Sequence, residues 1–389
     1  MTCDPTPEGA AALAALRASA DGSLSAARAM APAMYHEESI LALEQERMFG
    51  RDWVCAGLAA EIPSAGDRLT WEIAGRPVFS VRGADGEVRT FSNVCRHRMM
   101  ALVADDEGTA GGGGRRITCP YHAWTYDLEG RLVGTNHMER TDDFVQADVC
   151  LPEVRTEVWH GWIYCTLDDD APPVTHVLDP MEEFVDRYRM ADYVPVHRVD
   201  GIWDSNWKLL VENFMEGYHL PVLHRASLGT WMPLDAVVFP DRRHDGLTYQ
   251  LFEKDENAVY GRAHPDNNRL EGSWRCTTFM PTIFPAHMYI LAPDHLWYLT
   301  VRPDGTERAL LRFGIALAPE VHASLDQPEP WIAEMVEFFT KVCEEDRIVV
   351  EGIQAATRSP LAEAGPLSWT EHELHDLAGY LAARLTSDT

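Results

Sequence analysis

Two short segments of the sequence each combine one cysteine with one histidine. The first is Cys95-Arg-His97, and the second, after an interval of 21 residues, is Cys119-Pro-Tyr-His122. One thiolate and one imidazole from each segment make a set of four metal ligands, so the chain between them has to fold back. A zinc site would generally pair cysteine with cysteine and histidine with histidine within each loop. The mixed order instead favours a two-iron cluster in which one iron binds both thiolates and the other binds both imidazoles.

The residues around these segments indicate a small β domain. From about residue 52 to residue 165 the sequence contains short β-rich runs such as LTWEIA and RPVFSV, and turn signals stand at residues 84–86 and 129–130. Short apolar runs separated by Gly-containing turns are typical of antiparallel hairpins. The sequence therefore predicts an antiparallel β domain that carries both Cys–His segments.

The flanking regions have different patterns. Residues 1–31 are rich in Ala and Ser and predict little fixed structure, and one helix is expected over 37–51. A second domain, 166–389, is expected to contain helices over 181–190, 203–219 and 329–357, and three strands over 288–317 with a turn at 303–305. The predicted organisation is a tail and helix over 1–51, a β domain over 52–165 and an α+β domain with an antiparallel sheet over 166–389.

Charge and composition exclude some classes of function. The formal net charge of −28 disfavours binding to nucleic acid or to an anionic membrane surface. The first residues include Asp4 and Glu8 where a secretory signal needs positive charge, and no apolar run approaches the roughly 18 residues of a membrane span. A cytoplasmic protein is expected, with its eight cysteines present as thiols or metal ligands rather than disulfides.

A second group of candidate ligands lies in the segment NWKLLVENFMEGYHLPVLH, residues 206–224. On a helix, Glu212, Glu216 and His219 would form one polar stripe, and Pro221 would end that helix. His224 follows in the next turn. Two interpretations remain open: the stripe is a solvated face, or the two histidines meet at the helix end.

The last long helix offers a third ligand for the same site. Its apolar stripe is interrupted by Asp346, whereas Glu344 and Glu345 fall on other faces and are expected to be solvated. A carboxylate amid apolar neighbours needs a cation or a hydrogen-bond partner. Two histidines and one aspartate are the facial triad of non-haem Fe(II) oxygenases. The stripe itself comprises Met335, Phe339, Val342, Val349, Val350 and Ile353.

The block CRHRMMAL…CPYHAWTYDLEGRL resembles the Rieske [2Fe–2S] family, and within it the ring-hydroxylating oxygenase branch. Respiratory-chain Rieske proteins carry an additional cysteine in each loop, and Met100 and Tyr121 stand at the corresponding places here, so that disulfide cannot form. The resemblance covers roughly residues 35–360. It implies that the cluster ligands are Cys95, His97, Cys119 and His122, and that a mononuclear Fe(II) is bound by His219, His224 and Asp346.

Two further roles follow from the same resemblance. The residue three before the first iron-binding histidine bridges that histidine to a Rieske histidine of the neighbouring subunit. It is usually Asp, and here it is Glu216, as in the branch that acts on choline, glycine betaine and carnitine. Asn213 resembles an Asn that lies close to the iron, although a helix-packing role is an equal alternative.

The resemblance implies the catalytic α subunit of a Rieske non-haem iron oxygenase, a homotrimer that uses O2 and electrons from NAD(P)H through a separate reductase or ferredoxin. Oxidation of an N-methylated, quaternary-ammonium compound is the leading hypothesis, and ring hydroxylation of an aromatic acid is the alternative. An electron carrier without the mononuclear iron is a hypothesis of another class. Four residues of the 277–297 stretch either line the substrate pocket or belong to the core of a strand: Phe279, Phe284, Met288 and Tyr289.

Overall fold

The structure, a computed structural model, describes residues 5–104, 114–228, 234–254 and 258–387. The chain divides into two compact units. One is Phe49–Thr175, and the other combines Met1–Met48 with His176–Thr389. No helix within the described ranges is both long enough and apolar enough to cross a membrane.

The Phe49–Thr175 unit is built from antiparallel strands, as predicted. Six of the strands form one sheet in the order β1-β9-β8-β4-β3-β2, and the other three form a small sheet in the order β5-β6-β7. The strands are β1 Val54–Leu58, β2 Arg68–Ile73, β3 Arg76–Arg82, β4 Val88–Ser92, β5 Ile117–Thr118, β6 Thr125–Tyr126, β7 Leu132–Gly134, β8 Glu153–Trp159 and β9 Trp162–Thr166.

Both predicted turns of this unit are present. Gly86 (φ 89°) lies in the turn between β3 and β4, and Gly130 (φ 80°) lies between β6 and β7. Glycine adopts these left-handed conformations without the steric cost of a Cβ atom. Cys95 and Cys119 belong to the apolar cluster beneath the small sheet, together with Trp124, so both thiols are held by the core of the unit.

The larger unit contains an antiparallel sheet in the order β10-β15-β14-β13-β12-β11. The strands between residues 287 and 317 match the predicted three strands and their turn. The members of the sheet are β10 Val194–Trp203, β11 Leu247–Glu253, β12 Thr277–Ile283, β13 His287–Leu291, β14 His295–Pro303 and β15 Ala309–Leu317.

Helices pack against this sheet. Among them, α5 packs on β14 and α8, and α8 also packs on β10. The helices within the described residues are α1 Pro7–Asp21, α2 Glu38–Glu44, α3 Thr175–Leu178, α4 Glu182–Tyr188, α5 Trp207–Met215, α6 Leu220–Leu223, α7 Pro319–Ser324, α8 Pro328–Thr357 and α9 His372–Leu385. A π-helical turn, Gln45–Phe49, continues α2, and 3-10 turns are Leu24–Ala26, Pro32–Tyr35, Ala59–Glu61, Gln146–Asp148, Asp179–Met181, Met190–Asp192, Leu234–Ala236 and Gly272–Arg275.

The N-terminal segment is more ordered than its composition predicts. The expectation of little fixed structure is wrong, because α1 begins after Thr6, whose side chain accepts a hydrogen bond from the Gly9 N–H (3.0 Å). Leu13 and Leu16 are buried, and α1 packs on α9. Tertiary packing therefore orders a helix whose alanine-rich sequence has a weak apolar face.

The long helix α8 matches its predicted bounds within one residue, but its buried face differs toward the C-terminus. Ile353 is exposed, whereas Gln354 and Thr357 are buried. The Gln354 side-chain oxygen accepts a hydrogen bond from the backbone N–H of Asn206 (2.8 Å). A buried polar side chain thus provides the hydrogen-bond acceptor for the backbone N–H just before α5. An apolar side chain could not provide it.

A buried ion pair connects α2 to α5. The Lys208 ammonium lies 2.6 Å from Oε1 of Glu44, and the side chains of these two residues are 1% and 0% exposed. The Trp207 indole N–H donates to the second oxygen of Glu44 at 2.8 Å. Both carboxylate oxygens are therefore engaged by the first turn of α5, the helix that leads into residues 216–224.

Replacing Glu44 by Gln is expected to destabilise the protein by about 3–5 kcal/mol, because the Lys208 ammonium would remain buried without its counter-charge. Denaturant unfolding followed by circular dichroism measures the loss. The matched control is Asp21→Asn, which breaks an exposed pair with Arg17 (3.1 Å; 51% and 68% exposed) and should cost less than about 1 kcal/mol. Similar losses in both variants would contradict the role assigned to the buried pair.

Candidate active site

The two Cys–His loops have the same backbone conformation. In each loop the N–H of the fourth residue after the cysteine donates to the cysteine carbonyl, and the cysteine N–H donates to the carbonyl of the fifth residue, with N···O distances of 2.8–3.0 Å. The fourth residues, Met99 and Ala123, have φ values of 57° and 58°. Two loops of unlike sequence are thus folded alike, each closed by its own backbone hydrogen bonds.

The four predicted cluster ligands lie in these loops with the thiols inside and the imidazoles outside. Cys95 and Cys119 are each 2% exposed, and the Nδ1 atoms of His97 and His122 face each other at 3.1 Å. Burial, with His97 and Arg98 nearby, lowers the pKa of His122, which favours the neutral imidazole that binds a metal. Two enclosed thiols and two converging imidazole nitrogens fit the donor set of a Rieske cluster.

Two aromatic residues that the sequence argument did not identify support the loops. The ring of Trp124 stacks on His97, with centroids 4.9 Å apart and planes at 13°. The Tyr126 hydroxyl accepts a hydrogen bond from the Arg96 N–H (3.1 Å) and lies 3.4 Å from Sγ of Cys95. Because the backbone N–H is the donor in the first contact, the hydroxyl hydrogen is available for the sulfur, and such bonds tune the potential of a cluster.

The second predicted ligand set also comes together. The ligand atoms of His219, His224 and Asp346 all lie within 4.8 Å of one another. Oδ1 of Asp346 is 2.9 Å from Nε2 of His224 and 3.6 Å from Nε2 of His219. Two imidazole nitrogens and one carboxylate oxygen therefore converge on one place, and this donor set fits a facial triad for non-haem iron.

The backbone reaches this arrangement by a different route from the one predicted. Helix α5 ends at Met215, and Glu216 is extended (φ −105°, ψ 140°), so the predicted polar stripe continuing to His219 is wrong. Pro221 does not end a helix but lies in the first turn of the one-turn helix α6, where its missing N–H has no intrahelical partner to lose. His219 and His224 are the residues that immediately precede and follow this single turn.

Glu216 holds the first histidine of the triad. Its Oε1 lies 2.6 Å from Nδ1 of His219, and its Oε2 accepts a hydrogen bond from the His219 backbone N–H at 3.1 Å. A carboxylate bonded to Nδ1 fixes the tautomer and leaves the lone pair on Nε2. The Glu216 side chain is 14% exposed, so one edge of it remains accessible.

Glu345 holds the second histidine, and its predicted solvation is wrong. Oε2 of Glu345 lies 2.8 Å from Nδ1 of His224 and also accepts a hydrogen bond from the Ser227 hydroxyl (2.8 Å). Burial raises the pKa of Glu345, but the bonds from His224 and Ser227 outweigh it, so the pKa lies below the usual value. The residue before Asp346 on α8 therefore reaches the same site through the opposite nitrogen of His224.

Asn213 and Glu212, neighbours on α5, have different surroundings. The Asn213 amide donates to Oδ1 of Asp346 at 3.2 Å, which brings it to the triad. The Tyr35 hydroxyl instead donates its one hydrogen to the Glu212 carboxylate, whose two oxygens lie 3.0 and 2.9 Å from it. Burial raises the pKa of Glu212 to about 7. Glu212 belongs to the packing of the N-terminal segment rather than to the triad.

A cavity opens beside the triad, between α5, α8 and the sheet. Six aromatic residues line it: Trp203, Phe214, Phe252, Tyr260, Trp297 and Phe339. Its polar lining includes Gln250, Lys254 and His295. Trp297 stacks on Phe214 and on Phe339, each with centroids 5.6 Å apart.

The four residues proposed from the 277–297 stretch belong to the strand core. Phe279 stacks on Phe184 (4.7 Å) and Phe284 on Tyr380 (4.8 Å), and Met288 and Tyr289 are fully buried. Neighbouring positions of the same stretch line the cavity instead, namely Met280, Ile290, His295 and Trp297. Successive residues of a strand face opposite sides of the sheet, and the sequence did not reveal which side faced the site.

Comparisons with known proteins match both units. Residues 52–150 match the Rieske [2Fe-2S] domain, and residues 186–387 match the ring hydroxylating alpha subunit (catalytic domain). Together the two matches imply a Rieske cluster and a mononuclear iron, the groups that the two donor sets fit.

Similar proteins include two curated relatives. The glycine betaine monooxygenase oxygenase subunit of Pseudomonas aeruginosa is 33% identical over 208 residues, which is 53% of this chain and 47% of that protein. The carnitine monooxygenase oxygenase subunit of Acinetobacter pittii is 29% identical over 333 residues, 84% of each chain. The match thus spans about half the length of the glycine betaine relative.

One solved structure, of a quaternary ammonium Rieske monooxygenase, has a TM-score of 0.80 and 22% identity. The match covers 95% of this chain and 98% of that chain. At this level of identity the likeness concerns the fold.

Replacing Glu345 by Gln is expected to weaken iron binding at the triad about tenfold to hundredfold, because Nδ1 of His224 would lose its anionic partner. Competition with a chelator, followed by metal analysis, measures the affinity without turnover. Glu344→Gln is the matched control: it removes the carboxylate one residue earlier, where the side chain is 61% exposed, and should retain wild-type affinity. Equal affinity in wild type and Glu345→Gln would contradict the positioning role.

Proposed function

Because this chain belongs to the family of ring-hydroxylating oxygenase alpha subunits and carries a Rieske domain before its catalytic domain, we propose that it oxidises an N-methylated, quaternary-ammonium compound with O2. The observation that carries the proposal is the pair of donor sets in one chain, a mixed Cys–His set and a His–His–Asp set beside an aromatic cavity. The first set suits electron relay, and the second suits oxygen chemistry.

In this proposal the cluster is held by the two buried thiols and two facing imidazoles, and the mononuclear iron by the two histidines and the aspartate of the triad. When bound, these groups supply single electrons and the activation of O2. The ligands are Cys95, His97, Cys119, His122, His219, His224 and Asp346.

The other side chains of the site position these ligands. Glu216 and Glu345 each bond the Nδ1 atom of one histidine, which keeps both Nε2 lone pairs directed to a common point. Asn213 donates to Oδ1 of Asp346 and restrains the carboxylate on the side of α5. The aromatic wall excludes water and offers ring faces to a methylated ammonium through cation–π attraction.

The proposed assembly is a homotrimer in which Glu216 also accepts a hydrogen bond from His122 of the neighbouring subunit. The accessible edge of Glu216 supports this role, since its oxygens retain lone pairs beyond the bonds to His219. Electrons would come from NAD(P)H through a separate reductase or ferredoxin, and a reaction supplied in that way is expected in the cytoplasm.

The N-methylated substrate class is supported by two observations. Relatives of this chain are named as oxygenase subunits of glycine betaine and carnitine monooxygenases. Six aromatic residues line the cavity, and one of them is Trp297, whose ring type binds cations best.

The iron-loaded protein, supplied with NADH and a surrogate reductase, is expected to consume O2 in proportion to added trimethylammonium compounds and to yield an oxidised or demethylated product. Oxygen uptake and aldehyde release are measured together, and a panel of aromatic acids is assayed in parallel. Coupled hydroxylation of the aromatic acids alone would replace the proposed substrate class with the ring-hydroxylating alternative.

Metal analysis of the same preparation tests the oxygenase class itself. Three irons per chain, two of them accompanied by acid-labile sulfide, are expected. His224→Ala should retain the cluster and its spectrum but lose the third iron and the coupled O2 uptake. Two irons per chain in the wild type, with no O2 uptake on any substrate, would identify an electron carrier instead.

Replacing Glu216 is expected to slow electron transfer between the two centres while the cluster spectrum and trimer are retained. Glu216→Gln should reduce the rate and Glu216→Ala nearly abolish it, because the carboxylate shortens the path between the histidines. Single-turnover oxidation of the pre-reduced cluster, in iron-saturated protein with substrate and O2, gives the rate. Glu212→Gln, one helical turn earlier and bonded to Tyr35, is the control and should keep the wild-type rate. A wild-type rate in Glu216→Ala would defeat the bridge.

A further inference from the structure

The cavity extends along α8, with one end at the triad and the other near Phe339. Asp346 lies at the triad, Val342 and Cys343 line the cavity one turn earlier, and Phe339 lines it two turns earlier. Seven residues of α-helix correspond to about 10 Å along the axis. The cavity therefore follows one face of α8 from the triad to the surroundings of Phe339.

The end near Phe339 is formed by Tyr260, His295 and Trp297. Their ring centroids lie 6.0, 5.5 and 5.6 Å from that of Phe339. Lys254 belongs to this end, because its Cγ and Cε atoms would lie 3.0 and 3.1 Å from a Cβ built on Gly261, the neighbour of Tyr260. Gly261 has φ 95°. A glycine with no Cβ thus lets the lysine stem lie against the backbone.

Two donors lie at this end, the Lys254 ammonium and the indole N–H of Trp297. The indole N–H is buried and has no hydrogen-bond partner among the described residues, and Trp297 is 5% exposed. The nearby acid, Asp294, is already engaged: Oδ2 accepts from the Gly261 N–H at 2.8 Å, and Oδ1 lies 2.7 Å from Nδ1 of His295. A buried, unpartnered donor costs free energy that a ligand oxygen would recover.

Lys254 is the cation of this end of the cavity, and Asp294 is its acid. Burial lowers the pKa of the Lys254 ammonium to about 8, with Asp294 acting in the opposite direction. A pKa of about 8 leaves most of the lysine protonated at pH 7. The Lys254 ammonium also lies 5.3 Å from the centre of the Phe252 ring, another residue of the cavity wall. The three N–H donors of an ammonium allow it to bind a ligand carboxylate in addition to a protein group.

We propose that Lys254 is the specificity-determining residue of the cavity and binds a carboxylate of the substrate. The inference rests on the proposed function for the opposite end, where the N-methyl group would lie toward Asp346. The substrate would then be a zwitterion whose carboxylate and methylated nitrogen are separated along α8. Lys254 touches the substrate but not the reacting carbon, so it acts on binding rather than on the chemical step.

The test compares ligands that differ only in the carboxylate. Equilibrium binding to the iron-loaded protein is measured by calorimetry with 4-trimethylammoniobutanoate and its methyl ester, and with benzoate and its methyl ester. Wild-type protein is expected to prefer the trimethylammonium acid over its ester by at least about tenfold, the value of one charge-assisted hydrogen bond.

Two variants separate the charge of Lys254 from its size, and a third variant is the control. Lys254→Met should weaken binding of the acid about tenfold to hundredfold and leave the ester nearly unchanged, whereas Lys254→Arg should retain part of the preference. In turnover, Lys254→Met should raise KM for the acid more than it lowers kcat. Lys341→Met, at an exposed position of α8, is the control and should behave as wild type.

The outcomes separate this inference from the proposed function. If neither pair shows a carboxylate preference that depends on Lys254, the inference is overturned, even where O2 uptake with trimethylammonium compounds supports the function. A preference that depends on Lys254 in the benzoate pair alone would uphold the lysine as a carboxylate site and overturn the N-methylated substrate class.

Discussion

One carboxylate oxygen, Oδ1 of Asp346, is shared by side chains from three segments of the larger unit. It lies within 3.6 Å of atoms from Asn213 on α5 and from His219 and His224 on either side of α6. The Asn213 contact depends on the packing of α8 on α5, and the two histidine contacts depend on the placement of the residues around α6 against α8. The cavity depends on the same packing, because its wall is the face of α8 that carries Asp346.

The local sequence was sufficient to predict those elements whose residue pattern lies within one segment. The Cys–His loops, the strand turns at Gly86 and Gly130, and helix α8 could be predicted because residue type, spacing and periodicity are read within one element. The residue at which α5 ends could not be predicted in this way. Glu is a good helix former, and nothing before Gly217 marks the change to extended backbone at Glu216.

The remaining differences came from contacts between distant segments. Glu345 was expected in solvent because one residue along a helix turns the side chain away from its neighbour, yet it reaches His224 from α8. In β12 and β13 the alternation of side chains was readable, but which side faced the cavity depended on where the helices pack. The packing of distant segments, rather than any local propensity, determined the contact of Glu345 and the face of the sheet that borders the cavity.

The matching backbone of the two Cys–His loops limits which side chains each loop accepts. Each loop is closed by hydrogen bonds between its own backbone atoms, and the fourth residue after each cysteine, Met99 or Ala123, is left-handed. The left-handed region is strained for β-branched residues, so valine or isoleucine at either position should distort its loop, whereas glycine should be accepted without strain. Two loops of different sequence therefore share one steric limit at equivalent positions.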